Sequence, residues 1–94
     1  MLSGKQKSYL RGLAQTRRAL FQIGKDGISE NLIMTLEDSI TAHELVKLNT
    51  LKTCPIEARE AAISLAAATH SEIVGIIGRT FILYRRSKKN LCNL

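Results

Sequence analysis

The sequence predicts an α/β domain of two layers, with three helices backing one four-stranded mixed sheet in the order α-β-α-β-α-β-β. Three observations carry that expectation. At 94 residues the chain holds a single domain with a modest core. Runs with helical spacing alternate with short apolar runs, the pattern of strand–helix–strand units whose right-handed crossovers give parallel pairing. The chain then closes on two β-rich runs around a glycine, which adds one antiparallel hairpin.

Taken in order, residues 3–16 read as a helix. Gln6, Leu10, Leu13 and Ala14 share one stripe, while Lys7 and Arg11 share another at i, i+4, with Arg18 close to its extension. Ala19-Leu20-Phe21-Gln22-Ile23 is apolar and halted by Gly24, so it reads as a mostly buried strand, and Lys25-Asp26-Gly27 as a turn. Ser29 is the N-cap of a second helix, with Glu30 in the first turn where the helix dipole favours an acid. That helix places Ile33, Leu36 and Ile40 on one face. Leu45–Asn49 reads as a strand with Val46 and Leu48 on one side. Pro55 suits the N1 position of a third helix, whose Ala58, Ala61, Ala62, Leu65 and Ala66 form a small-residue face for close approach to a sheet. Ile73–Ile77 and Thr80–Arg85 flank Gly78-Arg79, the glycine-first pattern of a two-residue type II′ turn. Residues 88–94 are expected to be a frayed basic tail.

The chain carries 14 Lys+Arg against 8 Asp+Glu, a formal charge of +6, with a pI near 9.8. Residues 1–27 have six bases and one acid, residues 28–72 three bases and seven acids, and residues 73–94 five bases and no acid. If the chain ends meet in the fold, they make one positive face opposite a mildly acidic one. Such segregation favours a polyanion-binding face over a merely solvated surface.

Several classes are excluded at this level. The polar start reads as no signal peptide, and no window approaches a membrane span. Cys54 and Cys92 make no disulfide framework and no CxxC spacing, and read as reduced thiols of a cytoplasmic protein. His43 and His70 lack a second ligand at metal spacing and fall near helix ends, where exposed histidines are ordinary. With no P-loop, GxSxG or HExxH, we expect no enzyme, no metal or cofactor and no small-molecule substrate. No amphipathic helix sets large apolar residues opposite the lysines, so a membrane surface is excluded as a partner.

Gly24-Lys25-Asp26-Gly27 is a GxxG placed between a strand and a helix N-terminus. Glycines let the backbone come within hydrogen-bonding distance of a phosphodiester, lysine adds charge, and the helix behind offers unpaired N–H groups. The GXXG loop of KH domains clamps a nucleic-acid backbone in this way. Asp26 is expected to turn outward or to cap the helix behind it, since a carboxylate aimed inward would repel phosphate. A second GxxG, Gly75-Ile76-Ile77-Gly78, lies within a strand and its turn and reads as structural. Phe81 and Tyr84 fall on opposite strand faces; Phe81 reads as core, and Tyr84 is open between core and a base-stacking platform.

These stretches together carry a resemblance. The opening Leu2-Ser3-Gly4-Lys5-Gln6-Lys7 with Leu10-Arg11-Gly12-Leu13-Ala14, then Ile23-Gly24-Lys25-Asp26-Gly27-Ile28, His43-Glu44-Leu45-Val46-Lys47 and Ile77-Gly78-Arg79-Thr80-Phe81-Ile82-Leu83-Tyr84-Arg85, resemble the bacterial stand-alone CRM-domain proteins of the YhbY family. The resemblance implies a fold similar to the C-terminal half of translation initiation factor three. It also implies RNA binding, association with precursors of the large ribosomal subunit through ribosomal RNA, and a role in ribosome assembly. Gly24, Lys25, Asp26 and Gly27 would be the family's GxxG loop. Beside it we expect Lys7, Arg11, Arg18, Arg79 and Arg85 to supply positive surface, in a protein that works as a monomer. The rival reading is a protein-interaction module docking on an acidic ribosomal protein or assembly factor.

Overall fold

The computed structural model describes residues 2–94. Its elements run α1 (Gly4–Gln15), β1 (Phe21–Ile23), α2 (Glu30–His43), β2 (Leu45–Thr50), α3 (Ala58–Thr69), β3 (Glu72–Ile77) and β4 (Thr80–Tyr84). The order is the one the sequence predicts. The sheet order is β1-β2-β4-β3. β1 pairs parallel to β2, and β4 pairs antiparallel to both β2 and β3. Among the described residues, no helix is long and apolar enough to cross a membrane.

Local chemistry sets the boundaries. Ser3 caps α1 in a reciprocal box with Gln6: the Gln6 N–H donates to Ser3 Oγ, and the Ser3 N–H donates to Gln6 Oε1. Ser29 caps α2 by accepting from the Leu32 N–H at 3.1 Å. Gly78 opens the β3–β4 turn at φ +60, while Arg79 is outside the positive-φ set, as a type II′ turn requires. Pro55 does not open α3. Glu57 is extended (φ −73, ψ 157) and is the N-cap, so Ala58 is the first helical residue. The proline ring instead sits against the loop after β1, 3.3 Å from where a Cβ on Gly27 would lie.

The layer count differs from the expectation. Strand side chains alternate between two faces, and here each face has its own core. Ile23, Val46, Leu48, Phe81 and Leu83 pack with Leu36 and Ile40 of α2 and with Ala58, Ala61, Ala62, Leu65 and Ala66 of α3. On the other face Leu45, Val74, Ile82 and Tyr84 pack with Leu10 and Ala14 of α1 and with Cys92. The molecule therefore has three layers rather than two, with α1 on one side of the sheet and α2 and α3 on the other. Leu48 and Phe81 stand opposite each other on the central strands, both fully buried, each burial contributing about 1.5–3 kcal/mol. The two cysteines belong to cores on opposite faces, and both are free thiols.

The C-terminal segment is not a frayed tail. It folds back across the α1 side of the sheet, where Cys92 is buried and Leu94 is partly buried. Its anchor is Glu44, a fully buried residue between α2 and β2. The Glu44 carboxylate accepts from the Ser87 N–H at 3.1 Å, the Cys92 N–H at 3.1 Å and the Ser87 hydroxyl. Burial pushes its pKa up, but these bonds and one from the Leu91 backbone outweigh that, so the carboxyl stays below its ordinary range. The tail's lysines gave no sign of this, because the anchor is distant in sequence.

Candidate nucleic-acid interface

Because β1 and β2 are parallel, the loops that follow them emerge at the same end of the sheet. The Leu51 N–H donates to Ile23 O at 2.9 Å, which ties the chain after β2 to the end of β1. One residue earlier the Thr50 N–H donates to Arg79 O at 2.8 Å, tying in the hairpin turn. The Gly24–Gly27 loop, the 51–55 loop and Gly78-Arg79 thus form one rim. Crevices outside the carboxyl ends of parallel strands are where α/β sheets commonly bind ligands.

The rim's glycines differ in kind. Gly27 has φ +63 and faces Pro55, so a side chain there would be strained in its backbone and would press on the proline ring. A Cβ on Gly24 would meet only Leu51 Cδ1 at 3.7 Å and Thr53 Oγ1 at 3.8 Å, which is ordinary contact. The Gly27 N–H donates back to Gly24 O at 3.0 Å, closing the turn. Lys25 and Asp26 at its tip are exposed. Asp26 is exposed, and the cap of α2 is Ser29 rather than Asp26.

Of the bases named from sequence, Lys25 and Arg79 share this rim. Reasoning from sequence missed two more. Lys52 and Arg59 line an open groove with Thr50, Pro55, Gly78 and Arg79, beside the N-terminus of α3. Both lie in the acidic middle third of the chain, where net charge hid them. The signal that finds Lys52 is positional: it follows β2 as Lys25 follows β1.

The other named bases lie elsewhere. Lys7 sits beside Ile63, Ser71, Glu72 and Ile73, at the far end of the β3 edge. Arg11 lies across the middle of β3, its guanidinium donating to Val74 O at 3.3 Å and its stem over Gly75. Gly75 and Gly78 of the second GxxG are structural, as the sequence reading has it. Arg18 belongs to a groove at the start of β1. The chain ends do meet, with Leu2 and Leu94 lining one groove with Arg85 and Arg86. That meeting place is at the Tyr84 end of the sheet, away from Gly24–Gly27. Tyr84 itself is buried in the α1-side core, so it offers no stacking platform.

Arg85 is occupied. Its guanidinium lies 2.6 Å from a Glu37 carboxylate oxygen and donates to Thr69 O at 2.8 Å and Thr41 Oγ1 at 2.6 Å. The hydrogen bond from Arg85 holds the Glu37 carboxyl below its ordinary range. The lowered carboxylate pKa gives a sign: this stabilisation is present above the unfolded carboxylate's pKa and fades as pH falls through the folded one. Arg85→Gln is therefore expected to lower the melting temperature at neutral pH, by less at acid pH, while leaving the salt dependence of any nucleic-acid binding unchanged. A flatter salt dependence in this variant would return Arg85 to the interface.

The fold and the glycine-built rim define a small three-layer α/β domain with a basic, backbone-lined edge. The sequence profile of the CRS1/YhbY (CRM) domain matches residues 2–85, and the chain belongs to that family. It is similar to the "Probable RNA-binding protein YqeI" of Bacillus subtilis (strain 168), 38% identical over 90 residues covering 96% of this chain and 94% of that one. It is also similar to an RNA-binding protein of Haemophilus influenzae, 30% identical over 89 residues covering 94% and 89%. The solution structure of SAV1595 from Staphylococcus aureus, named as a candidate RNA-binding protein, superposes with a TM-score of 0.81. It is 46% identical, over 96% of this chain and 94% of that one.

Proposed function

We propose that this protein binds structured RNA through its sugar–phosphate backbone, using the rim made by Gly24–Gly27, Lys52, Arg59 and Arg79. The observation that carries the reading is the Gly24–Gly27 turn itself. It is closed by its own hydrogen bond, free of side-chain bulk at Gly24, and set beside Lys25 and the start of α2. The relatives' names point to the same partner. Phosphate contacts of this kind give affinity and salt dependence but no sequence information, so selectivity comes from RNA shape. At the finer level we propose ribosomal RNA of large-subunit precursors as the target, in the cytoplasm, with a role in assembly. This last step rests on the family resemblance.

The test is binding of a structured ribosomal RNA fragment over a salt series by the intact chain and by Gly24→Asp. The structure accommodates a Cβ at Gly24, so this variant is expected to stay folded by circular dichroism. Added negative charge at the phosphate approach should cut affinity strongly. Wild-type affinity in the folded variant would remove the loop from the interface.

A further inference from the structure

We propose that the groove at the opposite end of the β1–β2 pair is a second RNA-contact site, taking a phosphate on its cations and a sugar or unstacked base on its leucines. The groove is lined by Arg17, Arg18, Leu20, His43, Leu45, Lys47 and Leu91. This inference rests on RNA being the partner, as read above, but on a different set of residues.

Charge selects the class of occupant. None of the lining residues is acidic, so the groove is complementary to an anion. Two of its cations are already held in place by backbone carbonyls. Lys47 Nζ lies 3.5 Å from Ala14 O and 3.4 Å from Arg17 O, at the C-terminal end of α1. Arg17 donates to Leu45 O at 2.9 Å. A guanidinium has five N–H donors and an ammonium three, so each retains donors after these bonds. Arg18 is exposed beside them. Held this way, the cations lose little further freedom when a phosphate arrives.

The floor selects within that class. Leu20 and Leu91 are 55% and 48% exposed, two large apolar side chains brought to one groove from the approach to β1 and from the C-terminal segment. An apolar surface beside fixed cations matches a nucleotide, which carries a flat apolar face next to its phosphate. An acidic peptide is the competing occupant. RNA is favoured because the Gly24–Gly27 rim offers the same polymer a second hold. The two sites are separated by the length of β2. From Leu45 to Leu51, at about 3.3 Å per residue, that is roughly 20 Å. One phosphate cannot serve both, so the protein would span two positions on a folded RNA.

The experiment uses the intact chain, a structured ribosomal RNA fragment and an oligo-glutamate peptide, with binding measured over a salt series. The variants are Arg18→Gln, Arg17→Gln/Arg18→Gln and Gly24→Asp. Arg18→Gln alone guards against misfolding, since it disturbs none of the carbonyl bonds described. Each cation removed from a phosphate should flatten the log–log salt slope by about 1, and 4-thiouridine in the RNA should crosslink to peptides holding Leu20 or Leu91. Wild-type slope and no such crosslinks in folded arginine variants, with Gly24→Asp still impaired, would overturn the second site and leave the loop reading standing. The converse, with Gly24→Asp unimpaired and the arginine variants weakened, would support the groove and remove the loop. Arginine-dependent capture of oligo-glutamate without any response to RNA would overturn the RNA occupant.

Discussion

Replacing Glu44 with alanine is expected to destabilise the protein by about 3 kcal/mol or more and to release the C-terminal segment. The carboxylate is the common acceptor for the Ser87 and Cys92 N–H groups and the Ser87 hydroxyl. Each buried donor left without a partner costs about 1–3 kcal/mol. Glu44 also occupies a costly backbone position, φ +64 and ψ −47, where a residue with a side chain stores about 1–3 kcal/mol of strain. Glu44→Gly relieves that strain while losing the same acceptor, so it should be less damaging than Glu44→Ala. Glu44→Gln keeps one acceptor oxygen and should fall between Glu44→Ala and wild type. Because hydrogen bonds outweigh burial and lower the carboxyl's pKa, its contribution is full above the unfolded carboxylate's pKa. It drains away as pH falls through the folded value. Denaturant titration across pH, with hydrogen exchange at residues 87–92, checks this. Unchanged stability and protection in Glu44→Ala would show that the tail is held by Cys92 and Leu94 alone.

The second large effect is a contrast between the two loop glycines. Gly27→Val should cost about 1–3 kcal/mol and distort the loop, because a β-branched residue is strained at φ +63 and its Cβ would press on Pro55 at 3.3 Å. Gly24→Ala should be close to neutral in stability, since its Cβ would make only ordinary contacts. RNA affinity should fall in Gly27→Val through loss of loop shape. In Gly24→Ala it should fall only as far as backbone approach is blocked. Equal stability losses at the two positions would mean that the 51–55 loop does not brace the turn as described. The contrast also separates folding from binding, which replacing both glycines at once would merge.

Much of this was legible in the chain. Period-3.6 stripes located α1 and α2, the alanine face located α3, and Gly78 placed the hairpin turn. The Gly24–Gly27 turn was readable because glycines and a helix cap fall together. What was not legible depended on which groups meet across the fold. The Leu10–Ala14 stripe shows that α1 buries a face, but not which side of the sheet receives it. Arg85 looks like any strand-end base until α2 brings Glu37 to it. Pro55 fits a helix start by its ring geometry, yet its φ serves a bend just as well. Glu44 and the tail are separated by more than forty residues, and no local pattern announces a buried carboxylate.

The helical cover on both sides of the sheet has one more consequence. Among the described residues no broad flat sheet face is left open, so the nucleobases of the proposed RNA partner would have no plane on which to be read in series. What remains to the protein is its edges, and edges measure contour. A sequence-scrambled RNA that preserves the same three-dimensional outline should therefore compete as well as the original.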